Sequence, residues 1–514
     1  MVDIVANTTL GSVWDTTVRL RCHNPFLVFL AEDGSRCEYT YASFDQCVTR
    51  AARALISVGI GTGSVVALQL RNSPEFIMAL LALAKIGAVS VPMSVKSTPA
   101  ELLELYSVCQ AEWCLAEVET ACQHVQLRTG DSVLAGGVFS VHGATPGAID
   151  FDALCEAQSI EPIPPQPLTS ETLAELLFTS GTTATPKAVM ITHANLVFSG
   201  LYAIWQTSMR PDDRVFTTMP ACHSNFQLVA LTGAICSGAC LILCQHYSAH
   251  RFWDELRQER GTIVQLIAMM VRTLLLQPPT DCDSCHCVRE ALTFMPLTDE
   301  EKSGFETRFN VRLMNSYGST ESVGWVLTDL PQGERRWPSV GRPGLGYEVG
   351  IFDGDKELPP GEIGEIRVKG VPGRTLTPGY FGNPEATRRT LSDDGWLSTS
   401  DQGYYDEEGW FYFVDRASNL IKRSGENISA TQIEHVLLSH PLIVEAAVIA
   451  VPDPVRDQAV KAFVRLADGA QLDEQEITDY CSERLSCHKV PQYVEIVTDF
   501  PRTTSMKIAK RLLR

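Results

Sequence analysis

The stretch Leu177-Phe178-Thr179-Ser180-Gly181-Thr182-Thr183-Ala184-Thr185-Pro186-Lys187-Ala188 packs five hydroxyl side chains, one glycine and one lysine into a loop behind an apolar run. Such a loop suits a polyphosphate. Backbone N–H groups of a Gly-containing turn point inward, hydroxyls donate to phosphate oxygens without adding charge, and a lysine supplies a mobile cation. A Walker loop would put Ser or Thr after its lysine and run straight into a helix. Here Pro186 precedes Lys187, Ala188 follows it, and Val189-Met190-Ile191 continues as a β-like run, so the loop is expected to close a hairpin. An ordinary hydroxyl-rich surface turn has the same composition, and the rest of the chain decides between the two.

At 514 residues the chain has room for roughly three domains. Its 45% hydrophobic and 20% charged content is ordinary for a globular enzyme. The net charge of −19 argues against a nucleic-acid or anionic-membrane partner, because both demand a basic face. The start Met1-Val2-Asp3-Ile4-Val5-Ala6-Asn7 has neither a basic segment nor a following apolar core, so a cytoplasmic location is expected. The longest apolar stretch, 226–244, is interrupted by Gln227, Thr232, Gly233, Ser237 and Gly238. It reads as a buried helix, a Ser-Gly turn and a buried strand, not as a membrane span. The 16 cysteines are expected to be reduced and mostly buried. The one cluster, Cys282-Asp283-Ser284-Cys285-His286-Cys287, lacks a second ligand pair at zinc-ribbon spacing and reads as a polar loop.

Helix and strand signals alternate between 40 and 100: Tyr41 to Val58 helical, Val65 to Leu70 a buried strand, Pro74 to Ile86 an apolar helix, Val89 to Pro92 a strand. That rhythm predicts a parallel α/β layer, and it returns between Asn195 and Leu276, giving two α/β lobes. From Gly344 the chain becomes Gly-punctuated short strands, Glu348 to Phe352 and Glu365 to Val368 among them, as in a small β-barrel. After Arg416, helix Thr431 to Ser439, strand Val444 to Val451 and helix Asp473 to Leu485 make a small α+β unit. The expected fold is therefore α/β, with a large domain over 1–415 and a small mobile domain over 416–514.

Four further motifs follow the loop: Asn315-Ser316-Tyr317-Gly318-Ser319-Thr320-Glu321-Ser322; Thr399-Ser400-Asp401; Val414-Asp415-Arg416 with Ile421 to Ile428; and Pro501-Arg502-Thr503-Thr504-Ser505-Met506-Lys507-Ile508. Together and in this order they resemble the core motifs of the adenylate-forming acyl-CoA synthetases, over nearly the whole chain. Stretches between the motifs, such as Tyr247-Ser248-Ala249, Gln277-Pro278-Pro279 and Arg335-Arg336-Trp337-Pro338-Ser339, are most similar to the bacterial branch that acts on carnitine, crotonobetaine and γ-butyrobetaine. The resemblance implies two half-reactions. A carboxylate attacks the α-phosphate of Mg²⁺-ATP to give acyl-AMP, and the CoA thiol then displaces AMP.

By that resemblance Thr179, Ser180, Gly181, Thr182, Thr183 and Lys187 hold the β- and γ-phosphates. Thr320 and Glu321 offer hard oxygen ligands for Mg²⁺. Tyr317 stacks on adenine beside Gly318, while Asp401 and Arg416 reach the ribose. Lys507 is the mobile lysine of adenylation, and Ser424-Gly425 faces the pocket for thioester formation after the C-terminal domain rotates. His223 and Phe226 approach the acyl group, with Trp205 and Trp337 as further aromatic faces for a quaternary ammonium. The expected partners are ATP, CoA and a small carboxylic acid, with a homodimer left open. Residues that depart from the family pattern are Ala184, Ala188, Thr293-Phe294, Ser400, Ser418 and Met506, several in place of glycine. They motivate two alternatives: a ligase for another short or medium acid, and a weakened paralogue that binds ATP or acyl-AMP.

Overall fold

The computed structural model describes residues 3–128, 133–179, 186–294, 297–416, 420–423, 426–453, 457–485, 487, 489–502 and 507–513. The helix Pro74–Ile86 shows how local sequence sets the elements. Ser73 caps its first turn by accepting from the Phe76 N–H, Pro74 occupies the first helical position, and Gly87 ends it at φ 77°. Apolar on nearly every face, the helix is buried almost throughout, as such a helix must be. The preceding helix, Tyr41–Ser57, starts at a Thr40–Ser43 capping box and buries Phe44, Val48, Ala51, Ala52 and Leu55 along one side.

Two large sheets result. A seven-stranded sheet carries Val65–Gln69 and Val89–Pro92 in parallel at its centre and ends in the antiparallel pair Leu173–Thr179 and Lys187–Thr192. Thr179 faces Lys187 across that pair, so the hydroxyl-rich loop closes a hairpin as expected. A nine-stranded sheet runs in parallel through Cys240–Cys244, Arg214–Thr217, Ile263–Leu266, Glu290–Thr293 and Leu313–Ser319, then turns antiparallel at Gly324–Thr328. The apolar stretch from Phe226 is a π-helix, Phe226–Leu231, continuing as an α-helix, Thr232–Ser237. Gly238 then turns the chain at φ 78° into the strand Cys240–Cys244. The two sheets share one continuous core that reaches Phe411.

The Gly-punctuated strands form a five-stranded antiparallel sheet that includes Glu348–Asp353, Gly364–Lys369, Trp396–Tyr405 and Phe411–Arg416. Residues from Ile421 onward build a separate sheet and their own apolar clusters around Ile433, Val448 and Val464, and around Phe463 and Phe500. Asp415, 1% exposed, ties this unit to the rest: its carboxylate accepts from the Ser429 hydroxyl (2.9 Å) and the Thr431 N–H (3.0 Å) at the start of the helix Ala430–Leu438. No helix among the described residues is long and apolar enough to cross a membrane.

Candidate active site

The strand Leu313–Ser319 delivers Tyr317 and Gly318 to a tight turn that carries Thr320 and Glu321 before the return strand Gly324–Thr328. Gly318 is required there by space. A Cβ at that position would stand 2.0 Å from the Gly324 carbonyl oxygen. The turn is closed from within, since Ser322 Oγ accepts from the Ser319 N–H and donates to the Ser319 and Gly324 carbonyls. Tyr347 clamps it from outside by donating to the Ser322 carbonyl at 2.7 Å. Val323 sits at φ 63°, an uncommon conformation for a β-branched residue and of the kind that clusters at functional sites.

From this turn three arms reach other parts of the chain. Tyr317 donates its hydroxyl to Asp401 Oδ2 at 2.7 Å, and Asp401 faces Arg416 across the register of the antiparallel pair. Glu321 Oε1 accepts from the Tyr380 hydroxyl at 3.0 Å, and the Lys187 ammonium lies 5.1 Å from the centre of the Tyr380 ring. Tyr380 therefore bridges the end of the hydroxyl-rich loop and the carboxylate of the turn. Thr320 donates to Ser224 Oγ at 3.2 Å, and Ser224 lies 3.4 Å from His223 Nδ1. His223 Nδ1 accepts from the Asn225 N–H at 3.3 Å, which leaves the proton of the neutral ring on Nε2. Burial, aided by the positive charge of Lys507, pushes the His223 pKa down to about 4. Lys507, far along the chain, thus stands close enough to His223 to be felt electrostatically.

Most of the expected site residues can be located in the fold. Tyr317, Gly318, Thr320, Glu321, His223, Asp401, Lys187 and Lys507 belong to one constellation, and Thr179 stands opposite Lys187. Arg416 is opposite Asp401 in register. Ser180, Gly181, Thr182 and Thr183, together with Ser424 and Gly425, lie outside the described residues, as do Ala184, Ser418 and Met506. Phe226 is fully buried and meets Phe76 edge to face at 6.4 Å, a core contact behind the His223 loop. Trp205 packs on Tyr202 at 5.3 Å. Trp337 gives its indole N–H to Asp299 at 2.5 Å, with Lys302 over its ring. The Trp205 contact lies within the helix His193–Thr207, and the Trp337 contacts are with the helix Asp299–Phe309.

Some departures from the family pattern can also be placed. Ala188 is in the regular strand Lys187–Thr192 opposite Phe178, with no positive φ, so it carries no strain. Ser400 does adopt a left-handed conformation, φ 59°, directly before Asp401. Sequence reasoning missed Tyr380, Ser224 and Trp325. Trp325 faces Gly318 in register and stacks on Phe294 with ring centres 4.4 Å apart. In the Cys282 to Cys287 cluster, His286 donates from Nε2 to the Phe309 carbonyl (2.7 Å) and accepts at Nδ1 from the Val288 N–H (3.1 Å). Among the described residues no group of three or more His, Cys, Asp or Glu could hold an ion.

The sequence profile of AMP-binding enzymes matches residues 14–381, and that of their C-terminal domain matches residues 432–507. The chain belongs to the AMP-binding enzyme family. Within it, the crotonobetaine/carnitine–CoA ligases of Escherichia coli and Citrobacter koseri are 41% and 40% identical to it, each over the full length of both chains. Among solved structures, ATP-bound MatB from Rhodopseudomonas palustris superposes with a TM-score of 0.87 at 24% identity, covering 99% of this chain and 98% of that one. The o-succinylbenzoate–CoA synthetase of Bacillus subtilis, in complex with its acyl-adenylate intermediate, gives 0.86 at 25% identity with the same coverage.

Proposed function

We propose that this AMP-binding enzyme is an ATP-dependent, AMP-forming ligase that joins a betaine-like carboxylic acid, of the carnitine, crotonobetaine or γ-butyrobetaine type, to CoA through an acyl-adenylate. The observation that carries the reading is the convergence of Glu321–Tyr380–Lys187 and Thr320–Ser224–His223, with Lys507 arriving from the C-terminal unit. Bringing a carboxylate to a phosphate joins two anions, so the site must supply positive charge and fixed donors. Lys187 serves the β/γ end of ATP, and Lys507 lies between the attacking carboxylate and the α-phosphate. Neutral His223 offers its Nε2–H to an oxygen of the acyl carboxylate. Tyr317 and Asp401, already joined, receive adenine and ribose.

The Glu321 carboxylate and the Thr320 hydroxyl are hard oxygen donors that suit Mg²⁺, which would offset the charge of the phosphates. The Tyr380 hydroxyl fixes the Glu321 rotamer for that purpose. For the quaternary ammonium, the Phe294–Trp325 stack beside Gly318 offers aromatic rings next to the turn, and aromatic faces attract such cations.

ATP–pyrophosphate exchange over a panel of acids tests the reading. Exchange is expected with crotonobetaine or carnitine and to be weaker with their uncharged carbon isosteres. Exchange confined to fatty or aryl acids would defeat the substrate assignment, and no exchange with any acid would defeat the ligase assignment. Trp325→Leu should raise KM for the cationic acid by roughly 2- to 30-fold and leave the isostere unchanged.

A further inference from the structure

We propose that Cys282 and Cys285 form a reversible dithiol–disulfide site, apart from the ligase reaction, that exchanges with low-molecular-weight disulfides. Both thiols are exposed, in contrast to the buried Cys109, Cys114, Cys240 and Cys244 of the core. The backbone already holds them in position: the Cys285 N–H donates to the Cys282 carbonyl at 2.9 Å. Such a turn keeps its first and fourth Cα atoms within about 7 Å, and a disulfide needs about 4.4–6.8 Å. The turn therefore holds the two cysteines in the range of separations that a disulfide spans.

The turn is also braced against collapse. Asp283 accepts from Arg308 Nε at 2.7 Å and from the Thr280 hydroxyl at 2.8 Å, and Arg257 donates to the Cys282 carbonyl at 2.9 Å. Behind it, His286 is stacked on Trp253 at 5.1 Å. Cys287, the third thiol of the cluster and also exposed, lines a groove with Arg36, Arg260 and Thr262 that Cys282 and Cys285 do not line. This separation selects the 282–285 pair. Both His286 nitrogens are engaged, and among the described residues no group of three or more His, Cys, Asp or Glu is placed to hold a metal.

The Cys285 thiol is directed at the Asp281 carbonyl, 3.8 Å away, so Cys282 reacts first. As a thiolate it attacks one sulfur of an external disulfide and expels one thiolate, leaving a mixed disulfide. Cys285, deprotonated in turn, attacks Cys282 Sγ and expels the second. The two cysteine protons end on the two released thiols, the protein loses two electrons, and the external disulfide gains them.

Trypsin cuts after Arg272 and Arg289, so all three cysteines fall in one peptide. The native chain would be incubated with oxidised glutathione, alkylated, digested and weighed. The expected product has lost two of its three alkylatable thiols, is lighter by two hydrogens, and reverts with reduced glutathione. Cys287→Ser should give the same disulfide, whereas Cys282→Ser and Cys285→Ser should stop at glutathione adducts. Stable adducts on all three wild-type cysteines, or a disulfide lost in Cys287→Ser, would overturn the proposal.

Discussion

The turn from Ser319 to Val323 and the segment that carries Lys507 approach the same histidine from opposite parts of the molecule, and they are built in opposite ways. The turn is locked: glycine against a carbonyl, a serine bonding both strands, a tyrosine clamp outside, and a left-handed valine within. Lys507 is exposed, in a unit whose apolar clusters share no buried residue with the large core and which is tied to it through Asp415. Groups that bind nucleotide in both half-reactions gain from being fixed, since preorganised dipoles cost nothing at the moment of reaction. A cation needed in only one half-reaction gains from riding on a unit that can leave.

If the turn is as rigid as this contrast requires, Gly318→Ala should be the most damaging small change, lowering stability by about 2–3 kcal/mol or displacing the turn. Thermal melting together with ATP–pyrophosphate exchange would measure it, and an unchanged variant would break the contrast.

Buried histidines, His223 between the two regions among them, give the next test. His124, His193 and His223 are all held near pKa 4 by burial, well below the ordinary value of 6.5. The unfolded chain therefore takes up protons first as the pH falls. Their stabilising share is intact above about pH 6.5 and is lost on the way down to about 4. The fully buried His124 and His193 should each account for roughly 1–3 kcal/mol of that loss, read from urea unfolding at pH 7 and pH 5.

Tyr380→Phe sharpens the role of the bridge. It keeps the ring under Lys187 and removes the bond to Glu321, so adenylation should slow by roughly 10-fold, the worth of one hydrogen bond to a charged group. The smallest effect has the opposite sign. Ser400→Gly relieves a left-handed residue and should stabilise the protein by about 1 kcal/mol, as measured by chemical denaturation.

Much of this was legible in the chain itself. The hairpin around the hydroxyl-rich loop, the ends of the helix Pro74–Ile86 and the helix-turn-strand from Phe226 follow from local signals: a proline before the lysine, a serine cap, a glycine stop. Tyr317 and Asp401 each stood in a motif of their own, and the fold brings them together. Tyr380 and Ser224 stayed hidden because their partners lie 59 and 96 residues away, and only sheet order and register join them. For Trp205 and Trp337 the aromatic side chain is visible in sequence, but its neighbours, Tyr202 and Asp299, are not. Ala188 drew suspicion as a lost glycine, yet a strand position needs no positive φ. Ser400 drew the same suspicion and does occupy one.

The central claim, a fixed nucleotide site served by a removable cation, is tested most directly by Lys507→Ala assayed in both half-reactions. Adenylate formation, followed by pyrophosphate release from ATP and crotonobetaine, should fall by roughly 100-fold or more, as when one preorganised charge is removed from a transition state. Thioester formation from supplied acyl-AMP and CoA should proceed at close to the wild-type rate. Equal loss of both half-reactions would contradict the account.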